Sequence, residues 1–176
     1  MFKRSGYRSV HCIAKEGGHI GKRMYDNIEA QREILWGMET QDVFSDLLYA
    51  KKKLFFDGAE HFKKLYAEYP DAYFVLQTRD TDSWIKSRTK HKKGEFIKRL
   101  MTMQRVKTKL EMQDIWREEK ETHEQKVREF FALAKNAKFL EYDINKHNIQ
   151  ILMDWVKPDY PNLMRKNYGW RNKTSS

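Results

Sequence analysis

The chain has 176 residues, 40% of them hydrophobic and 14% aromatic, with 8 Gly and 3 Pro, which excludes a disordered or fibrous chain and fits a single domain over 1–176. Its 35 basic and 25 acidic residues leave a net charge of +10, an excess that favours anionic partners such as nucleic acid, acidic lipid or a phosphorylated small molecule. One cysteine, Cys12, excludes an internal disulfide and a Cys-based zinc site, and no apolar run approaches the roughly 20 residues of a membrane span, so a cytoplasmic protein is expected.

At the start, "KRSGYRSVH" places Gly6 among small and basic residues, and the following "SVHCIAKEGG" reads as helical. A glycine there lets backbone approach an anion, and a helix N-terminus adds N–H groups and a positive dipole end. A basic tail without a ligand fits the same residues. The stretch lacks the G-x-x-x-x-G-K-[ST] pattern of nucleoside triphosphatases.

Three short runs read as buried strands: "KLFFD" at 53–57, "AYFVLQT" at 72–78 and "KFLEYD" at 138–143. Between the first two, "AEHFKKLYAEYP" puts Phe62, Leu65 and Tyr66 on one helical face and stops at Pro70. After the second strand a helix is expected over 81–88. The segment 95–135 reads as strongly charged helix, with Ile115, Trp116, Val127, Phe130, Phe131 and Ala134 near one stripe in its second half. "NIQILMDWV" reads as a last helix, stopped by Pro158 and Pro161.

Strands alternating with helices predict an α/β/α layered fold around a central parallel sheet. Ligands bind beyond the carboxyl ends of the strands in such sheets, and those ends carry Asp57, Arg79 and Asp143. Arg79 suits a forked contact with phosphate, and Ser87, two helical turns further on, suits the same cavity. Alternatively Arg79 pairs with Asp80 or Asp82 and Ser87 is helix surface. Asp57, which ends an apolar strand and precedes Gly58, is a candidate acid–base group, with Glu60 and His61 as alternatives. Near the end, "LMRKNYGWRN" reads either as a basic loop that closes on a nucleotide or as a solvated tail. The six histidines show no metal-ligand spacing, so no metal is expected.

Taken together, these stretches resemble the sulfotransferase superfamily that uses 3′-phosphoadenosine 5′-phosphosulfate (PAPS), above all its short single-domain members. "LFFDGAEHFKKLYAEYPDAYFVLQTRDTDSWIKS" and "HEQKVREFFALAKNAKFLEYDI" carry the resemblance. It implies the P-loop-like sulfotransferase fold, with a first strand that is short or missing because only Met1 and Phe2 precede Lys3. The family's 3′-phosphate motif, an arginine at a strand end and a serine eight residues on, falls on Arg79 and Ser87. Its 5′-phosphosulfate loop falls on "KRSGYRS", giving Arg4, Ser5 and Gly6. Tyr7-Arg8 stand where the family has two threonines, so the donor hydroxyl is expected from Ser5 or Ser9. The late Arg-Lys-Gly loop falls on Arg165 and Lys166, with Asn167 in the glycine's place.

The resemblance implies transfer of a sulfuryl group from PAPS to a hydroxyl or amine of a small molecule or glycan. Arg4 would stabilise the leaving group and Asp57 would act as base. The acceptor pocket is expected from 22–52 and 90–113. Other readings are a degenerate nucleotide-binding relative, a P-loop kinase-like phosphotransferase, and a basic nucleic-acid-binding protein, the last supported by charge alone.

Overall fold

The structure is a computed structural model that describes residues 1–14, 17–51 and 53–168. The described chain falls into two compact units, 1–72 with 148–168, and Tyr73–His147.

In the first unit, residues Phe2–Ser5 form a 3₁₀ turn, followed by strand β1 (Ser9–His11), helix α1 (Ile20–Glu29) and strand β2 (Val43–Ser45). A hairpin of β3 (Leu48–Lys51) and β4 (Leu54–Asp57) follows, then helix α2 (Phe62–Glu68); helix α6 (Ile149–Val156) is added from the end of the chain. The expected helix after Gly6 is not formed. Val10 is buried in β1, which pairs in parallel with β2, and two positive-φ glycines, Gly17 and Gly18, bend the chain before α1 starts at Ile20. Along α1, Ile20 and Met24 fall four residues apart on the buried face and join Val10, Ala14, Ile34, Met38 and Phe56 in one apolar cluster. Gly21 lets this helix approach closely, since a Cβ there would collide with the Leu47 carbonyl oxygen.

The second unit begins with β5 (Tyr73–Thr78), followed by α3 (Thr81–Lys90), α4 (Glu95–Gln104), α5 (Lys109–Leu133) and β6 (Lys138–Asp143). Strands β5 and β6 run parallel, in register from Tyr73 opposite Lys138 to Thr78 opposite Asp143. The ring of Phe131 stacks on Phe139 at 4.5 Å and packs against Phe74 at 5.1 Å, so α5 closes over both strands. Ile97, Leu100, Met112 and Trp116 are fully buried on α4 and α5. The segment expected as one helix over 95–135 is two. It breaks at Arg105, which takes a left-handed φ of 58°, and restarts where the Thr108 side chain accepts the Glu111 N–H at 3.1 Å.

The class is thus α/β with parallel strand pairing, as expected. Among the described residues the strands form three two-stranded ladders, β1–β2, β3–β4 and β5–β6. Strand β4, expected in the parallel sheet, instead runs antiparallel to β3, because a two-residue connection permits only a hairpin return. No helix among the described residues is long and apolar enough to cross a membrane.

Candidate functional site

The second unit presents the carboxyl ends of β5 and β6 at one edge, because the two strands are parallel and end on the paired residues Thr78 and Asp143. Arg79 is the next residue after β5. It is half-buried, its Nε is shielded from solvent without a hydrogen-bond partner, and no described residue forms a hydrogen bond or ion pair with it. The two neighbouring carboxylates expected as alternative partners are committed elsewhere. Asp80 caps α3 by accepting the Ser83 N–H at 2.8 Å, and that bond, more than the nearby charge of Arg79, holds its pKa below the ordinary range. Asp82 pairs with Arg117 at 2.6 Å. Ser87 is half-buried on α3, and its hydroxyl forms no hydrogen bond with a described residue.

Beside Arg79 lies a group of charges that the sequence did not single out. Glu124 on α5 is buried, and its carboxylate accepts from Thr78 Oγ1 at 2.7 Å, Lys120 Nζ at 2.7 Å and Arg128 Nη2 at 2.9 Å. Arg128 also forms a two-pronged bond to Glu141 at 2.9 and 2.7 Å. Burial works to raise the pKa of Glu124, but the hydrogen bonds from Lys120, Thr78 and Arg128 outweigh it and lower the pKa. Two cations and two anions make this group neutral by itself, so it leaves the charge of Arg79 unanswered. A buried glutamate looks the same in sequence as the exposed ones around it on α5. The available signal was its spacing, four residues from both Lys120 and Arg128.

In the first unit, the "KRSGYRS" segment has its own closed hydrogen-bonding pattern. The Gly6 N–H donates to the Lys3 carbonyl at 3.4 Å and the Tyr7 N–H to the Phe2 carbonyl at 3.2 Å, with Gly6 left-handed at φ 90°. This is the paired-bond pattern that ends a helix on a glycine. Both N–H groups that an anion cradle at Gly6 would use are therefore spent on carbonyls. The Ser5 hydroxyl accepts from Asn167 Nδ2 at 3.0 Å and the Met164 N–H at 3.4 Å, and Asn167 Nδ2 also donates to the Arg4 carbonyl at 3.0 Å. Asn167, in the place of the family's glycine, thus ties the 3₁₀ turn Arg165–Asn167 to Arg4 and Ser5. Arg4, Arg165 and Lys166 come together on these two turns, all exposed. Ser9 lies within β1 opposite Val43. Gly169 and Trp170 lie outside the described residues.

Asp57 ends β4, half-buried, and its Oδ1 accepts the Ala59 N–H at 3.0 Å, capping the 3₁₀ turn Gly58–His61. Glu60 is exposed, and the His61 ring stacks on Phe56 at 4.9 Å. Among the described residues, no cluster of three or more histidine, cysteine or carboxylate side chains could hold a metal ion.

The arginine at the end of β5 thus sits on an α/β frame with parallel strand pairing. The chain belongs to the sulfotransferase domain family, whose sequence profile matches residues 4–172. No curated protein and no solved structure matches the chain.

Proposed function

We propose that this protein is a sulfotransferase that takes PAPS as donor, with Arg79 and Ser87 on the 3′-phosphate. The observation that carries the reading is the Arg79 guanidinium. A half-buried guanidinium whose Nε has no partner among the described residues is suited to an anionic ligand. The carboxylates beside it in sequence are used by Ser83 and Arg117. Family membership supplies the reaction class.

In the reaction, the acceptor's oxygen or nitrogen attacks sulfur. The new bond to sulfur forms as the bond from sulfur to the bridging oxygen of the 5′-phosphate breaks. The acceptor's proton passes to a carboxylate, and adenosine 3′,5′-bisphosphate leaves. Such transfer depends on in-line positioning and on cations that stabilise the leaving oxygens. The resemblance gives the proton to Asp57 and the leaving group to Arg4, with further positive charge from Arg165 and Lys166. These roles stand as part of the proposal. The acceptor is a hydroxyl or amine of a small molecule or glycan.

Calorimetric titration with adenosine 3′,5′-bisphosphate and with AMP tests the reading. The bisphosphate is expected to bind at least about tenfold more tightly, the value of one hydrogen bond to a charged group. Equal affinities would reject it, and preferential binding of ATP with Mg²⁺ or of an oligonucleotide would point to the kinase-like or nucleic-acid reading.

One observation favours a second reading, a nucleotide-binding member without turnover. The Gly6 and Tyr7 N–H groups and the Ser5 hydroxyl are all occupied within the protein. Under that reading the bisphosphate binds, but PAPS is not consumed with any phenol, sugar or amine offered.

A further inference from the structure

Helix α5 carries a stripe of polar residues at Gln113, Arg117, Lys120 and Glu124, spaced by four, three and four, which places them along one face. Each holds a residue of the segment that carries Arg79 and Ser87, and the partners run in reverse chain order. Gln113 Nε2 donates to Thr89 Oγ1 at 3.0 Å, and Arg117 Nη2 to Asp82 Oδ1 at 2.6 Å. Lys120 Nζ donates to Thr81 Oγ1 at 3.2 Å, and Glu124 Oε1 accepts from Thr78 Oγ1 at 2.7 Å. The contacts therefore bracket the segment: Thr78 and Thr81 lie on either side of Arg79-Asp80, and Asp82 and Thr89 on either side of Ser87. The pair that flanks Arg79-Asp80 is the more buried, with Lys120 and Glu124 side chains 10% and 11% exposed. Arg117 and Asp82 are exposed and add less.

We propose that Glu124, with Lys120, is a positioning residue for 3′-phosphate recognition: the α5 stripe holds the β5–α3 connection so that Arg79 and Ser87 stay aimed at one phosphate. This rests on the reading of Arg79 and Ser87 given above. The physical reason is preorganisation. A long arginine side chain on an untethered turn would lose conformational freedom on binding, whereas a turn pinned at Thr78 and Thr81 has already lost it. Neutral overall, with the Lys120 and Glu124 side chains buried and Arg128 and Glu141 at its more exposed edge, the Lys120–Glu124–Arg128–Glu141 group can pin the turn through Thr78 and Thr81 without competing with the ligand for the charge of Arg79.

The readout is the ratio of affinities for adenosine 3′,5′-bisphosphate and AMP, measured by titration calorimetry on the full chain. A general loss of stability lowers both affinities together and leaves the ratio unchanged. Thr78→Val removes only the hydroxyl and keeps the β-branched shape, and Glu124→Gln removes the charge. Each is expected to reduce the ratio about threefold to tenfold, the range of a single hydrogen bond, with AMP affinity unchanged. Thr78→Ser, which keeps the hydroxyl, is expected to retain the wild-type ratio. In the Arg79→Ala background, Thr78→Val should change the ratio no further, because the group it positions is gone. Should Glu124→Gln fail to fold, Thr78→Val and its cycle with Arg79→Ala decide the matter alone. An unchanged ratio in folded Thr78→Val overturns the positioning role while leaving the Arg79 reading intact, provided Arg79→Ala still lowers the ratio. A ratio that Arg79→Ala does not lower overturns the 3′-phosphate reading, and the positioning role with it.

Discussion

The turn at Gly6 and the turn at Arg79 look alike as sequence: each is basic, each has a serine nearby, and each suits a phosphate. They differ in where their polar groups go. Around Gly6, the backbone N–H groups bond Lys3 and Phe2, and the Ser5 hydroxyl bonds Asn167 and Met164. Around Arg79, the flanking residues Thr78, Asp80, Thr81 and Asp82 are all bonded within the protein, while Arg79 is left without a bond. A satisfied turn is explained by the fold alone. A cation left unsatisfied in a well-bonded frame is where the proposed phosphate would find a partner.

The largest expected effect tests the frame. Glu124→Ala would leave Lys120 and Arg128 without their shared carboxylate, and breaking a buried pair in this way costs about 3–5 kcal/mol. Urea unfolding should show that loss. A cost below about 1 kcal/mol, the level of a surface pair, would mean that the group is no frame.

Arg79→Ala probes the other half of the comparison. Bisphosphate affinity should fall about tenfold to a hundredfold, equivalent to roughly 1.5–3 kcal/mol, while stability and AMP affinity hold. Were the melting temperature to drop with no change in nucleotide preference, Arg79 would be a structural residue and the contrast with Gly6 would vanish.

Gly6→Ala is the converse experiment. A Cβ there would meet open space, so the cost comes from the left-handed backbone, about 1–2 kcal/mol for a residue with a side chain. Stability should fall by that amount and bisphosphate affinity should not change. Loss of affinity at unchanged stability would make this turn a cradle after all.

The smallest effect is on acid sensitivity. Glu124 and Glu141 are both held below their ordinary 4.5, Glu124 by Lys120, Thr78 and Arg128 against its burial, and Glu141 chiefly by Arg128. A carboxylate whose pKa is lower in the folded state contributes stability above its unfolded value and loses it as pH falls through the folded one. Stability should therefore be level near neutrality and decline below about pH 4.5. The decline should be shallower in Glu124→Gln, which has no proton to take up there.

Much of the second unit was legible in advance. The runs "AYFVLQT" and "KFLEYD" became β5 and β6 to within a residue, because β-branched and aromatic residues dense enough to fill a buried ladder leave few alternatives. The break between α4 and α5 was also present in the letters, as Thr108 three residues before Glu111, but the continuous charge of 95–135 masked it. Strand β1 was missed because Ser9–His11 is too short to show a period, and only its pairing with β2, more than thirty residues on, makes it a strand.

By itself, the sequence determined the α/β class, the strand that delivers Arg79 and the eight-residue step to Ser87, since these depend on local apolar patterning and on spacing within one chain segment. Tertiary structure decided how the polar groups of each basic turn are bonded. A helix end exposes carbonyls and carries a negative partial charge, so lysine and arginine followed by glycine stabilise it; a phosphate is negative too, and attracts the same residues. "KRSG" is therefore written alike for both, and only the bonds from Gly6 to Lys3 and from Asn167 to Ser5 distinguish them. Glu124 is the same lesson in reverse. Whether a glutamate on a charged helix is solvated or is the buried partner of a strand end depends on which strand end packs beneath it, and the spacing from Lys120 and Arg128 does not record that.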